Sequence, residues 1–246
     1  MRIFKSEFGH AYGTSYAFGY TEYAELENNE EPGAVYEHGY LPFSTNPDTQ
    51  GLFYMARSVR VPLVGWEPNS ENRRIFRKFD GQFECEIVER EALKTGTDFR
   101  SCFLTYFEKR HGAGIMSEAR LNGILATPLP LRGVRYHKDG NTIGYVLEVT
   151  TSSMVHYWYS CFELERMESA LGMWLMLDST KRAKEDGRSH IYLGTAYGDK
   201  GKYKTNFSPL EFWDGSAWNA DEKLLKRYIS EDAEHRVPFT DRFNQP

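Results

Sequence analysis

Residues able to do chemistry gather at a few places in this 246-residue chain. Arg57, Arg60, Arg73, Arg74, Arg77 and Lys78 stand against Glu67 and Glu71 alone, six basic groups to two acidic, a +4 window in a chain of net charge −5. Guanidinium forks suit phosphate oxygens, each contact adding a salt-dependent term, or grip a carboxylate at both oxygens. A solvated helix face would carry the same charges with no such role. Lys200, Lys202, Tyr203 and Lys204 form a second group. An aromatic ring between lysines can stack on an unpaired base while the ammonium groups meet phosphate, or the segment is an ordinary polar turn. Arg110-His111 closes an expected helix, where cations are favoured by the dipole alone. If His111 lies near a cleft it is a candidate base, since imidazole titrates near pH 6.5. Tyr159 and Tyr192 fall in expected strands, where a tyrosine is ordinarily a core residue with a bonded hydroxyl.

The elements that must carry these groups follow from periodicity and caps. Residues 52–63 alternate and read as a strand. Asn69 or Ser70 caps a helix to Phe79, with Arg73, Arg74 and Arg77 on one face and Ile75, Phe76 and Phe79 anchoring the rest. A strand at 83–88 follows. Thr97-Asp98 begins an amphipathic helix with Phe99, Cys102, Phe103, Tyr106 and Phe107 inward and Gly112 past its end. A short helix comes after Ser117. Asp139-Gly140-Asn141 marks a hairpin between strands at 134–137 and 142–149, and a third strand spans 154–159. A long helix at 168–186, apolar nearly all round over its first turns, is buried against a sheet. A strand at 191–194 and a helix at 221–229 close the chain. Strand, strand, strand, buried helix, strand is an α+β layered order.

Composition narrows the class. With 15% aromatic residues the chain is no disordered segment, and its acidic balance opposes a uniformly basic coat. No apolar run is long enough to span a membrane, and the first residues lack the apolar stretch of a signal peptide. Cys85, Cys102 and Cys161 form no CxxC pair, so neither a disulfide framework nor a cysteine metal site is expected, and the thiols read as core residues of a cytoplasmic protein.

Several strings, taken in order, resemble the aminoacyl-tRNA–protein transferases, the arginyl and leucyl transferases. They are Gly39-Tyr40-Leu41-Pro42-Phe43-Ser44, Arg60-Val61-Pro62 with Asn69 to Arg74, and Arg110-His111 with Met116. Trp158-Tyr159, Ala170-Leu171-Gly172, Tyr192-Leu193-Gly194, Lys200 to Lys204 and Phe207-Ser208-Pro209-Leu210-Glu211 follow. The likeness runs from about residue 39 to 218. Departures are clear. The family's N-terminal cysteines are absent, Ala170 stands for a serine, Thr195 for an aromatic and Gly201 for a methionine.

The resemblance implies a GNAT-like mixed sheet flanked by helices with a smaller N-terminal portion: residues 1–95, a catalytic domain at 96–230 and a tail at 231–246. It implies transfer of an amino acid from charged tRNA to an amine, most simply a protein N-terminus, by a monomer with no metal and no cofactor. The ester is already activated, and neither GxxxxGKS nor GxGxxG occurs. His111, Tyr159 and Tyr192 are then the catalytic candidates. Arg60, Arg73, Arg74, Arg110, Glu168, Leu171, Gly172, Gly194 and Thr195 would bind substrate. Arg77, Lys200, Lys202, Tyr203 and Lys204 would bind tRNA. The segment 160–168 holds three glutamates, one arginine and no glycine. That is hostile to the pyrophosphate of acetyl-CoA and favours a cationic group, so arginine is the slightly preferred donor. Transfer to a small amine or amino acid, as in peptide natural-product synthesis, and a non-catalytic tRNA or N-terminus binding module are the alternatives.

Overall fold

The structure, a computed structural model, describes residues 1–8, 19–27, 30–44, 50–166 and 169–234. In chain order the elements are β1 (Arg2–Phe8), β2 (Gly19–Glu25), α1 (Gly33–Glu37), β3 (Tyr40–Pro42), β4 (Leu52–Met55), β5 (Ser58–Pro62), α2 (Ser70–Phe79), β6 (Glu84–Glu89), α3 (Arg90–Thr95), α4 (Thr97–His111) and α5 (Glu118–Leu125). There follow β7 (Leu131–Lys138), β8 (Asn141–Thr150), β9 (Met154–Phe162), α6 (Leu171–Glu185), β10 (His190–Thr195), α7 (Gly198–Gly201), β11 (Glu211–Trp213), β12 (Trp218–Asn219) and α8 (Glu222–Glu234).

The strands form two sheets. A small antiparallel one has the order β1-β2-β4-β3, and the main one runs β12-β11-β5-β10-β9-β8-β7-β6. The main sheet is antiparallel except at β9–β10, which pair in parallel through Met154–His190, Val155–Ile191 and His156–Tyr192. Parallel neighbours need a crossover, and α6 supplies it. Beyond Tyr192 the parallel pairing ends, while β9 runs on to Phe162. Both strands are irregular where they part: β9 shifts register around Trp158 and β10 between Tyr192 and Thr195. A V-shaped opening results, lined by Trp158 to Ser160 on one side and Leu193 to Thr195 on the other. This is the GNAT-like α+β arrangement expected from the sequence.

Two helices set the walls. Helix α6 buries Leu171, Trp174, Leu175 and Leu177, which explains a first half apolar all round. Helix α4 carries Phe99, Phe103 and Phe107 four residues apart, one above another on one face. The rings of Phe103 and Phe107 stack at 4.9 Å, and both meet Tyr159 edge-on, at 5.9 and 5.7 Å. That ladder fixes α4 on β9 and delivers its last residues to the mouth of the opening.

Three expectations need correction. The stretch 52–63 is two strands in different sheets, not one. The chain leaves the small sheet at Met55 and enters the main one at Ser58, and the Ser58 amide donates to the Ala56 carbonyl at the corner. Gly96, not Thr97 or Asp98, is the N-cap of α4, and no side chain caps that end. Asn69 does cap α2, in a reciprocal box with Asn72. Of the thiols, Cys161 is buried and Cys102 half-buried, their sulfurs 2.8 Å apart as free cysteines, but Cys85 is exposed rather than a core residue. The main sheet draws β5 and β6 from before residue 95 and its other strands from beyond it. No helix among the described residues is long and apolar enough to cross a membrane.

Candidate active site

The opening between β9 and β10 widens into a cleft of about 990 Å³. Its walls are largely aromatic and aliphatic, with Phe43, Tyr106, Trp158, Met173, Met176 and Leu193 among them. Arg110, His111, Arg120, Lys200 and Lys204 also line it, and no Asp or Glu does among the described residues. A pocket with many aromatic and aliphatic side chains and a few converging cations suits an apolar group attached to an anionic carrier.

His111 is the last residue of α4. Much of its surface is open, but one side of the ring packs on Phe107 at 5.1 Å. Desolvation, then the nearby charges of Arg110 and Lys200, hold its pKa below the ordinary 6.5. It is therefore a neutral imidazole at neutral pH, able to accept a proton. Tyr159 points from β9 into the cleft wall, where its hydroxyl lies 2.6 Å from Ser44 Oγ and receives a long bond from Arg120 Nη2 (3.3 Å).

Lys204 occupies the floor. Only 8% exposed, its Nζ donates to the Thr195 carbonyl at 2.5 Å. Burial brings the amine down to about 8. Gly194 shapes the same edge. Its φ is +80°, a conformation that side-chain-bearing residues rarely adopt, so glycine serves the bend. His156, just below, is buried with its Nδ1 3.0 Å from the Tyr36 hydroxyl. Burial, with Lys204 adding, drives its pKa to about 3, so it is a fixed neutral group.

The candidates chosen from sequence divide into two sets. Arg110, His111, Tyr159, Gly172, Gly194, Thr195, Lys200, Tyr203 and Lys204 meet in the cleft. Tyr192, Arg60, Leu171, Arg73, Arg74, Arg77 and Lys202 do not line it. Tyr192 is buried on the opposite face of β10 against Tyr36 and Trp218, and its burial raises its hydroxyl to about 12. Arg60 is held there by Glu211 (2.7 Å), the Tyr192 hydroxyl (3.4 Å) and the Trp218 ring (4.1 Å). Leu171 is wholly buried in the helix–sheet core. Arg73, Arg74 and Arg77 are on the exposed face of α2, Arg73 bonded to the Pro68 carbonyl and Arg74 paired with Glu71. Lys202 is exposed, and Glu168 lies outside the described residues. Nor do the described residues of the segment after β9 present an acidic rim to the cleft. Glu163 pairs with Arg166 at 2.6 Å, and neither it nor Glu165 is among the lining residues.

Sequence reasoning missed Arg120, Ser44, Tyr106 and Ser160. Arg120 meets partners 76 and 39 residues away, on Ser44 and Tyr159, a convergence that no local spacing reveals. Ser44 does end the Gly39–Ser44 string, which is the signal that pointed toward it.

The family profile described as "Arginine-tRNA-protein transferase, C terminus" matches residues 100–214. That span holds most of α4 and all of β9, α6 and β10, while Leu41 to Ser44 and Tyr54 of the cleft lie before it. Among curated relatives, an aspartate/glutamate leucyltransferase of Rhizorhabdus wittichii is 29% identical over 180 residues, 67% of this chain and 65% of that protein. The namesake from Sinorhizobium medicae is 31% identical over 163 residues, 62% of this chain and 55% of that one. The chain thus spans less than two thirds of the length of these relatives. Among solved structures, "The structure of L-PGS from Bacillus licheniformis" aligns with a TM-score of 0.48 and 12% identity, over 82% of this chain and 70% of that one. The profile match and the relatives make the chain similar, over its cleft-forming segments, to the aminoacyl-tRNA–protein transferases.

Proposed function

We propose that the chain is an aminoacyltransferase that moves leucine from leucyl-tRNA onto the α-amine of proteins beginning with Asp or Glu. The observation that carries this reading is the cleft: apolar walls, cations at its mouth and floor, and no carboxylate among its described lining residues. Leucine suits those walls. Arginine, favoured from the sequence, loses support, because Glu163 is paired with Arg166, Glu165 is not among the lining residues, and the relatives are named for leucine.

The chemistry asks for position more than for activation. The acceptor amine attacks the ester carbonyl, a C–N bond forms, and the C–O bond to the tRNA ribose breaks, the ribose oxygen leaving with a proton. His111, neutral at the mouth, takes the proton that the ammonium must shed before attack. Lys204 puts a buried positive charge at the Thr195 edge, where negative charge on the carbonyl oxygen is favoured. Arg110, Lys200 and the exposed ring of Tyr203 suit the phosphates and terminal base of the tRNA.

The test is to incubate the protein with tRNA charged with labelled leucine and with peptides beginning Asp, Glu or Ala. Leucyl-Asp and leucyl-Glu peptides without leucyl-Ala are the expected products. Transfer from arginyl-tRNA instead, onto small amines instead, or acetylation from acetyl-CoA would overturn the reading.

A further inference from the structure

Several half-buried guanidinium groups, Arg57, Arg60, Arg132 and Arg182 among them, meet a carboxylate from Asp232, Glu211 or Glu148, whereas Arg90 spends its two terminal nitrogens on the Thr127 and Leu129 carbonyls. Arg120 is half-buried too, in the wall of the cleft, and among the described residues it has no acidic partner. Its plane is nevertheless locked. Nε donates to the Ser44 carbonyl at 2.8 Å and Nη1 donates to the Ile115 carbonyl at 2.6 Å. Nη2 faces two hydroxyls at long range, Ser44 Oγ at 3.4 Å and Tyr159 Oη at 3.3 Å. Those hydroxyls are 2.6 Å from each other, so one donates to the other and a proton is left to offer elsewhere. Placing an uncompensated cation in a half-buried wall is costly unless an anion visits it.

We propose that Arg120, with the hydroxyls of Ser44 and Tyr159, binds the side-chain carboxylate of the acceptor's first residue. This rests on the acidic acceptor proposed above. A carboxylate arriving here exchanges the two long Nη2 contacts for charge-assisted bonds and receives a hydroxyl proton as well. Tyr159 sits on β9 at the point where β9 and β10 part. A first residue held by its side chain at Tyr159 therefore presents its α-amine toward Leu193 to Thr195, across the opening. A tRNA phosphate is the rival anion. It is better served by Arg110 and Lys200, which are exposed at the mouth, than by a guanidinium tied down inside the wall.

The experiment measures binding of fluorescent peptides beginning Asp or Asn to the full chain without tRNA, alongside leucyl-tRNA binding. The Asp peptide should bind the unmodified protein about 10- to 100-fold more tightly than its Asn twin. Arg120→Met should bring that ratio near one and leave tRNA binding unchanged. Because Arg120 also ties Ser44 to α5, the double variant Ser44→Ala/Tyr159→Phe, which keeps both carbonyl anchors, is measured beside it and should cut the ratio severalfold. No preference in the unmodified protein, or an undiminished ratio in both variants, overturns the proposal. So does a loss of tRNA binding with the ratio intact, which would mark a phosphate site. Absence of leucyl transfer while the Asp preference persists overturns the proposed reaction and leaves this site standing.

Discussion

Replacing Lys204 with Met removes a charge the fold holds at its own expense. The amine falls from its ordinary 10.5 to about 8 because it is buried, and its one hydrogen-bond partner among the described residues is the neutral Thr195 carbonyl. Below pH 8 the folded and unfolded chains both carry the proton, so the whole penalty falls on the folded state, roughly 3 kcal/mol at pH 7. Between pH 8 and 10.5 the unfolded chain holds a proton that the folded chain has shed, and stability rises with pH. Above 10.5 both are neutral and the penalty has gone. Lys204→Met lacks this dependence and at every pH leaves the Thr195 carbonyl without its donor, a loss of about 1–3 kcal/mol. At pH 7 the two effects nearly offset. By pH 10 the unmodified protein should have gained roughly 2.5 kcal/mol on the variant. Urea unfolding of both proteins at pH 7, 8, 9 and 10 reads this difference directly, and groups that titrate alike in both cancel. A gap that stays within about 1 kcal/mol across that range would refute the reasoning. The variant should also lose leucyl transfer at pH 7 with its stability intact, since the ammonium is held for the ester and not for the fold.

Two further outcomes follow from the same floor and the strand beside it. His156, held neutral at about 3 against an ordinary 6.5, makes the unfolded chain bind the extra proton as pH falls below 6.5, so stability is lost toward acid. His156→Gln should therefore flatten the fall between pH 7 and 4 by roughly 3 kcal/mol in urea unfolding, and an equally acid-labile variant would count against it. Gly144→Ala would set a Cβ 2.5 Å from the Cys161 carbonyl and 2.8 Å from Phe162 Cβ, inside the β8–β9 ladder. It should cost about 2 kcal/mol or more and lower Tm by at least roughly 4 °C, where a change under about 1 °C would show that the ladder yields.

What the sequence made legible was local or periodic. The aromatic ladder of α4, the cap of α2, the Asp139-Gly140 hairpin and the apolar start of α6 each rest on neighbours within a turn or two. The resemblance brought the right segments to the cleft because it carried order along the chain, and nine of its residues meet there. Which face a strand residue takes was not legible. Tyr159 and Tyr192 sit in matching motifs, yet Tyr159 lines the cleft beyond the register shift of β9 at Trp158 while Tyr192, in the regular part of β10, is buried in the core. The charged window misled for a related reason. Charge is visible in a sequence and its neutralisation is not: Arg60 and Arg57 meet Glu211 and Asp232, more than 150 residues on. Arg120 is the converse, an unremarked arginine on a short helix that long-range packing places inside the wall with no carboxylate partner among the described residues.

The place of β5 has a consequence for how the molecule is made. This strand sits between β10 and β11, so residues 58–62 wait for partners at 190–195 and 211–212. During synthesis its edges stay open until most of the chain has left the ribosome, and such long-range pairing closes slowly. A fragment cut to the matched span 100–214 would keep β10 and β11 but lose the strand that joins them. Its central sheet would end in an open edge, prone to pairing with other chains rather than to forming a cleft.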